Sequence, residues 1–211
     1  MSDSLHDSSR TIQAFLDAAA AKHPTPGGGS VAALAGALAA AMGEMVVNYS
    51  IGKKDVAAHE AELQAALGEF HRARHLMQML MTEDQAAYEA LTAARKARRE
   101  DGSSSDVFDA ALLASIRVPQ AIGAAAVAII ELCERIAPKI NRYLVSDLAV
   151  CVELAMATAR CAMYNVRANL PDVPDSKERD HLEQMTVRVL SHATTTLQQA
   201  MPKIWARQNA R

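Results

Sequence analysis

The sequence has few of the residues that favour β-sheets. Phe, Trp and Tyr together make up 4% of the 211 residues, whereas Ala alone makes up roughly a fifth. Alanine has the highest helix propensity, and strands favour aromatic and β-branched side chains. No segment shows the pattern of a strand. The composition therefore predicts an all-α protein and argues against a β-sandwich or β-barrel.

An excess of positive charge is also missing. Lys and Arg number 22 and Asp and Glu number 24, which gives a net charge of -2 at pH 7. General nucleic-acid binders are usually basic, because they neutralise phosphate groups. Hydrophobic residues nevertheless make up 50% of the chain, enough for a packed core. We expect one globular domain over residues 1–211, with no nucleic-acid partner.

Cysteine is scarce, and no CxxC pair is present. The three residues, Cys133, Cys151 and Cys161, all lie in apolar, helix-like stretches. An odd number without metal-ligand spacing excludes a disulfide framework and a zinc site, so we expect three buried, reduced thiols. Glu178 and His181 have the ExxH spacing of di-iron bundles, but no second such pair exists, and we expect no metal site.

An apolar signal segment is not apparent either. The first residues, MSDSLHDSSR, are polar, and we expect a cytoplasmic protein. Residues 31–51 are apolar and long enough to cross a bilayer, but they are mostly Ala and Gly and include Glu44 and Asn48. A central carboxylate is costly in lipid. We therefore expect no membrane partner and a central helix, buried by other helices, at a subunit interface.

Apolar residues at helical spacing, separated by Pro and Gly, predict a single bundle of five or six helices. A break near Thr82 and a kink at Pro119 are expected within two of them, and Asp175 is the expected N-cap of the last. The predicted helices cover residues 11–21, 31–51, 55–98, 106–137, 146–170 and 176 to at least 200.

The segment PTPGGGS between the first two helices is the most distinctive. Gly27, Gly28 and Gly29 precede Ser30, which we expect to be the N-cap of the second helix. Glycines before a helix leave backbone N–H groups open to a ligand. The alternative is a tight turn in which glycine supplies a positive φ, although one glycine would suffice. The GK[ST] element of a Walker A loop is missing.

Polar side chains on the predicted helices give further candidates. Asp84 precedes Tyr88 by one turn, and Asn165 and Asn169 share a helix face. Asp147 stands at a helix start and is primarily a candidate cap. Most helix carboxylates are simply solvated, and paired polar residues indicate either an internal hydrogen-bond network or a polar ligand site. The residues alone leave these alternatives open.

Taken in order, these elements resemble the cyclodeaminase/cyclohydrolase family of folate enzymes. That family includes the C-terminal domain of formimidoyltransferase-cyclodeaminase and standalone methenyltetrahydrofolate cyclohydrolases. The resemblance runs from about residue 11 to about residue 197. It rests on PTPGGGS, GKK at 52–54, Asp84 with Tyr88, Val118-Pro119, Asn141 before Ser146-Asp147, and NVRANL at 165–170. Thr82 and Arg98 depart from the pattern of many relatives.

The resemblance implies an all-α homodimer with folate sites near the subunit interface. It implies a 5,10-methenyltetrahydrofolate cyclohydrolase, in which water attacks the methenyl carbon to give 10-formyltetrahydrofolate. Two alternatives stay open: a formiminotetrahydrofolate cyclodeaminase that releases ammonia, and a folate-binding or interaction protein that has lost catalysis. Neither reaction needs a metal or redox cofactor, and a tetrahydrofolate derivative is the substrate.

The resemblance also implies roles for particular residues. Asp84 is the expected acid/base, since both reactions need proton transfers. Lys53 and Lys54 either attract the glutamate tail of the folate or balance the dipole of the preceding helix. The substrate-binding residues that it implies are Gly27, Gly28, Gly29, Ser30, Lys53, Lys54, Asp147, Asn165 and Asn169.

Overall fold

Six α-helices follow one another in the computed structural model, which describes residues 11–101 and 105–209. These residues include no strand, so the all-α prediction and the expected number of helices are confirmed. Short 3₁₀ turns link several of the helices. The helices are α1 (Ile12–Ala20), α2 (Gly28–Ser50), α3 (Glu60–Asp101), α4 (Ser105–Ile136), α5 (Val145–Asn169) and α6 (Ser176–Gln208).

Helix α2 begins earlier than the sequence predicts. Its N-cap is Gly27, which has no side chain to bond the first N–H groups of the helix. Ser30 lies inside the first turn, so the prediction that it is the N-cap is wrong. Among the described residues, only Gly52 has a positive φ, of 76°. The alternative in which the PTPGGGS glycines supply a positive φ is therefore wrong as well.

Other helix termini show the limits of local capping rules. Leu144 precedes the first residue of α5 without a side-chain hydrogen bond, so Asp147 is not the cap. It lies in the first turn, where a carboxylate complements the helix dipole. Helix α3 continues through Thr82, and the predicted break is wrong. Asp175 caps α6 as predicted, by accepting a 2.9 Å hydrogen bond from a backbone N–H.

Helices α2 and α3 run antiparallel and meet along a seam of glycines. Gly29, Gly36 and Gly43 recur every seven residues, which places them on one face of α2. A Cβ atom on any of the three would lie between 1.9 and 2.7 Å from a side-chain atom of α3, which no real side chain permits. The side chains that occupy these positions are, in the same order, those of Asp84, Met77 and Phe70.

Helix α5 packs antiparallel on another side of α2, and α4 packs antiparallel on α5. The start of α2 therefore lies beside the end of α5, and we name this the cavity end. The end of α2 and the start of α5 form the opposite end, where Lys53 and Lys54 follow α2; we name it the lysine end. Since α2 has 23 residues, about 34 Å separate the two ends.

One face of α2 is not covered by the rest of the described chain. This face carries large apolar side chains that are between 46% and 61% exposed, namely Val31, Leu38 and Tyr49 on α2 and Val150 and Tyr164 on α5. By length and composition α2 and residues Asp106–Lys139 would suit a membrane, but 56% and 50% of their apolar windows are buried. The expectation of a buried helix thus holds for only part of its surface. A contiguous exposed apolar face is typical of a protein interface.

The cysteines divide into a buried pair and an exposed residue. Cys133 of α4 and Cys151 of α5 are buried, with their Sγ atoms 3.3 Å apart. Cys161 is exposed, so the prediction of three buried thiols is wrong for this residue. It lies one turn before Tyr164, on the outward face of α5.

The glycine seam predicts opposite effects for two glycine-to-alanine substitutions. A Cβ at Gly43 would meet the buried ring of Phe70 at 2.3 Å, and we expect Gly43→Ala to lower the free energy of unfolding by about 1–3 kcal/mol. Gly68→Ala is the control, because its Cβ would only approach the flexible end of Arg72, at 3.4 Å. It should raise stability by about 0.5–1 kcal/mol through helix propensity.

Urea unfolding followed by circular dichroism measures both changes at one fixed protein concentration. Equal stabilisation by the two alanines would contradict the close approach of α2 and α3.

Candidate active site

A cavity of about 130 Å³ opens at the cavity end, between the start of α2 and helices α3, α4 and α5. It brings together six of the residues that the resemblance implies, including Asp84 and both asparagines. Ser30 is fully buried and lies behind Asp84 rather than at the cavity wall. The lining residues are Thr25, Gly27, Gly28, Gly29, Asp84, Ala87, Tyr88, Leu91, Ser115, Pro119, Asn165 and Asn169.

The carboxylate of Asp84 is held against the first turn of α2. The Ser30 hydroxyl lies 3.0 Å from Asp84 Oδ2 and donates to it, and the Ser30 backbone N–H donates to the same carboxylate. That N–H is one of those left without a partner at a helix start. A side chain of α3 thus supplies the cap that Gly27 lacks. Gly29 permits this contact, because a Cβ there would lie 1.9 Å from Asp84 Oδ1.

Burial and hydrogen bonding have opposite effects on the pKa of Asp84. Burial is the larger effect and raises the pKa, since the ionised form loses solvation. The hydrogen bonds from the Ser30 side chain and backbone favour the ionised form and lower the pKa. The net result is a pKa above the ordinary value of 3.8. A carboxyl group with a raised pKa is better suited to exchange protons with a substrate near neutral pH.

Pro119 determines how the side chain of Asn169 is oriented. Proline has no N–H, so the carbonyl of Ser115, four residues earlier in α4, lacks its helical donor. Asn169 Nδ2 donates to this carbonyl at 3.2 Å and to the carbonyl of Asn165 at 3.3 Å. Both neighbours are acceptors, so the amide nitrogen must face them, and Oδ1 is left as an acceptor.

From the sequence we predict only a kink at Pro119 and not this contact. The signal that would have revealed it is a proline in a helix interior together with an unassigned asparagine on a neighbouring helix. The free carbonyl must find a donor, because buried polar groups are almost always hydrogen-bonded.

Asn165 presents its side-chain oxygen in a similar way. Its Nδ2 donates to the carbonyl of Cys161 at 2.9 Å. Its Oδ1 lies beside the start of α2, 3.3 Å from where a Cβ of Gly28 would be. The two carboxamides therefore give the cavity wall hydrogen-bond acceptors, which suit N–H groups of a flat heterocycle.

Lys53, Lys54 and Asp147 lie at the lysine end, away from the cavity. Along α5, Asp147 is about 27 Å from Asn165, and the two lysines follow the far end of α2. Among the residues that line the cavity, Asp84 is the one with a charged side chain, and none of them is Lys, Arg or His. Within the described residues, no three His, Cys, Asp or Glu side chains form a group that would hold a metal ion.

Comparisons with known proteins agree on one family. A profile of the formiminotransferase-cyclodeaminase family matches residues 11–188. The methenyltetrahydrofolate cyclohydrolase of Methylorubrum extorquens is 34% identical over 78% of this chain and 81% of its own length. The formimidoyltransferase-cyclodeaminase of Sus scrofa is 28% identical over 94% of this chain, which spans 38% of that protein.

A solved structure extends this agreement to the fold. The crystal structure of formiminotetrahydrofolate cyclodeaminase from Thermotoga maritima matches with a TM-score of 0.87 and 26% identity, over 94% of this chain and 98% of that one. Every residue that lines the cavity falls within the segment matched by the family profile. The resemblance seen in the sequence is confirmed, and the chain belongs to the formiminotransferase-cyclodeaminase family.

Proposed function

We propose that this folate one-carbon enzyme is a methenyltetrahydrofolate cyclohydrolase, which converts 5,10-methenyltetrahydrofolate to 10-formyltetrahydrofolate. The observation that carries the proposal is the position of Asp84, a carboxyl group with a raised pKa at the wall of a cavity whose lining residues include no other carboxyl group. A relative with this name is 34% identical over most of its length. The tetrahydrofolate derivative is the substrate, and the reaction needs no metal or redox cofactor.

Asp84 acts as base and then as acid. Water attacks the electrophilic methenyl carbon and gives up a proton to Asp84, which leaves a tetrahedral carbon. The bond from this carbon to N5 then breaks, its electron pair goes to N5, and Asp84 returns the proton to that nitrogen. The remaining hydroxyl proton leaves to solvent as the formyl C=O forms. One placed carboxyl group therefore serves both proton transfers.

The neighbours of Asp84 hold the pterin ring. The side-chain oxygens of Asn165 and Asn169 accept hydrogen bonds from pterin N–H groups, and Gly27 and Gly28 let the flat ring approach the backbone at the start of α2. Pro119 and Leu91 add apolar surface to the same cavity.

A second candidate reaction has a specific observation in its favour. A solved structure that matches 94% of this chain is that of a formiminotetrahydrofolate cyclodeaminase. In that reaction N10 attacks a formimino carbon and ammonia leaves, so the same acid/base is required. A folate-binding protein without catalysis is the third reading, and assays with methenyl- and formiminotetrahydrofolate separate all three.

We further propose that a second copy of the chain completes the site. A cavity of about 130 Å³ is smaller than the roughly 300–1,000 Å³ typical of small-molecule sites, and no cation lines it to meet the carboxylates of a glutamate tail. The uncovered apolar face of α2 and α5 adjoins the cavity, since it extends from Val31 to Tyr49 and includes Tyr164. A homodimer through this face buries the apolar strip and extends the wall of the site.

The orientation of the partner follows from where the motif residues lie. A two-fold axis perpendicular to α2 places the lysine end of one subunit over the cavity end of the other. Lys53 and Lys54 of the partner subunit then face the glutamate tail, and Asp147 of the partner subunit lies near the pterin. This arrangement gives a role in one site to residues that are about 34 Å apart within a chain.

Asp84→Asn tests the acid/base. The amide keeps the volume and the hydrogen bond from Ser30 but cannot carry the proton, so turnover should fall by about 10²-fold or more while folate affinity is retained. Steady-state assays with both folates and a binding titration measure this. In the unaltered protein, kcat/KM should fall at low pH with a pKa above 3.8, because the base must be ionised and burial raises its pKa. Near-normal turnover of the variant would reject Asp84.

Gly28→Ala tests contact between the ligand and the start of α2. The new Cβ would lie 3.3 Å from Asn165 Oδ1, at the wall of the cavity, and would take space from the ligand. We therefore expect a raised KM with little change in melting temperature. No strain from a positive φ is involved. A destabilised variant with unchanged affinity per folded molecule would remove Gly28 from the binding residues.

Hybrid dimers test the shared site. The double variant Lys53→Ala/Lys54→Ala should raise KM about tenfold, and Asp84→Asn should lower turnover by about 10²-fold or more. Assayed below KM, co-expressed subunits of the two kinds should recover about a quarter of the unaltered activity, since half of a random mixture is hybrid with one intact site. If the lysines and Asp84 acted within one chain, the mixture would show only about 5% of the unaltered activity, contributed by the lysine-variant subunits. Lys203→Ala, at a surface ion pair with Glu134, is the control for lost positive charge.

A further inference from the structure

Ser30 contacts the proposed acid/base from the side opposite the cavity. It is fully buried in the first turn of α2 and does not line the cavity. Its hydroxyl has one proton and two acceptors within reach: Asp84 Oδ2 at 3.0 Å and the backbone carbonyl oxygen of Met81 at 3.2 Å. A hydroxyl donates one hydrogen bond at a time. The two contacts therefore represent alternative states.

The charge on Asp84 decides which acceptor is used. An ionised carboxylate is the stronger acceptor, because hydrogen bonds to charged groups are roughly twice as strong as neutral ones. A protonated Asp84 loses this advantage, and the Met81 carbonyl then competes for the hydroxyl. Because both acceptors are present, the buried hydroxyl of Ser30 has a partner in either state.

We propose that Ser30 is a positioning residue whose hydroxyl proton points to Asp84 Oδ2 when that carboxylate is ionised and to the Met81 carbonyl when it is protonated. The inference rests on the proposed function in one respect, namely that Asp84 exchanges protons with the substrate. Ser30 itself does not line the cavity, and its backbone N–H donates to the same carboxylate.

Two consequences follow for proton transfer. The hydroxyl donates to Oδ2 in the ionised state, so Oδ1 is the oxygen that it leaves free to receive the proton. The hydroxyl also stabilises the ionised form selectively and so opposes the effect of burial on the pKa of Asp84. Without this hydrogen bond, Asp84 would hold its proton more tightly, and a smaller fraction of it would be ionised and able to act as base at a given pH.

Few other groups near Asp84 titrate. On α3, Tyr88 is the neighbouring titratable side chain that lines the cavity. Glu89 does not line it and accepts a 3.5 Å hydrogen bond at Oε1 from the hydroxyl of Thr25. The start of α2 contributes glycines and Ser30, and the lining residues of α4 and α5 are Ser115, Pro119, Asn165 and Asn169, none of which carries a charge. A change in the titration of Asp84 can therefore be assigned to the Ser30 hydroxyl.

The test is the pKa of Asp84 in the full chain without ligand, measured by ¹³C NMR of the side-chain carboxyl groups and assigned with Asp84→Asn. Ser30→Ala should raise this pKa by about one unit, a tenfold change in the ionisation constant. Ser50→Ala is the matched control: Ser50 is equally buried in the same helix, but its hydroxyl donates to the Val46 carbonyl at 2.7 Å. It should leave the pKa of Asp84 unchanged.

Kinetics with the productive folate supplies the second readout. In Ser30→Ala the acid limb of kcat/KM should move upward by the same amount as the NMR value, with KM unchanged at high pH. An unmoved pKa in Ser30→Ala, or an equal shift in Ser50→Ala, would overturn the proposal. If the NMR shift occurs but the unaltered protein turns over neither folate, the positioning role stands and the proposed function fails.

A second variant covers loss of folding in Ser30→Ala. Ser30→Cys fills the same space, but its S–H group is a weak donor, so the pKa of Asp84 should again rise. A cysteine variant with the pKa of the unaltered protein would count against the proposal just as firmly.

Discussion

The close approach of α2 to α3 is the constraint on which the rest of the structure depends. Three glycines at seven-residue intervals admit Phe70, Met77 and Asp84 in turn. The first two contacts are apolar packing, and the third uses the same geometry to deliver a carboxylate to a helix start. The seam that stabilises the bundle thus also places the proposed acid/base, and the burial it causes raises the pKa of that group.

Much of the fold follows from local properties of the sequence. Alanine content and helical periodicity predict an all-α bundle, and the Asp175 cap is a local interaction that capping rules identify. The start of α2 shows where such rules stop. Ser30 has the right residue type for a cap, yet its own backbone N–H donates to the carboxylate of Asp84, 54 positions away in the chain. Long-range contacts of this kind depend on which helices pair, and helix propensity carries no information about pairing.

The site was predictable in its members more than in its arrangement. Motif order brought Gly28, Asp84 and Asn165 into one group, and the antiparallel packing of their helices does bring them together. The same packing separates Lys53 and Asp147 from them, since the ends of a long helix cannot meet within one chain. The order of motifs along a sequence therefore does not give the distances between them in space. In a bundle of long helices, motifs at opposite helix ends can lie far apart.

Pro119 and Asn169 form a matched pair, although they lie on different helices. The missing N–H of the proline leaves the Ser115 carbonyl to the asparagine side chain, at 3.2 Å. A change at 169 alone would leave a buried carbonyl without a donor, a penalty of about 1–3 kcal/mol. A change at 119 alone would restore the helical donor to the Ser115 carbonyl and leave the carboxamide of Asn169 with only its bond to the Asn165 carbonyl. Divergence at one position therefore constrains the other, and the two are expected to be inherited as a unit.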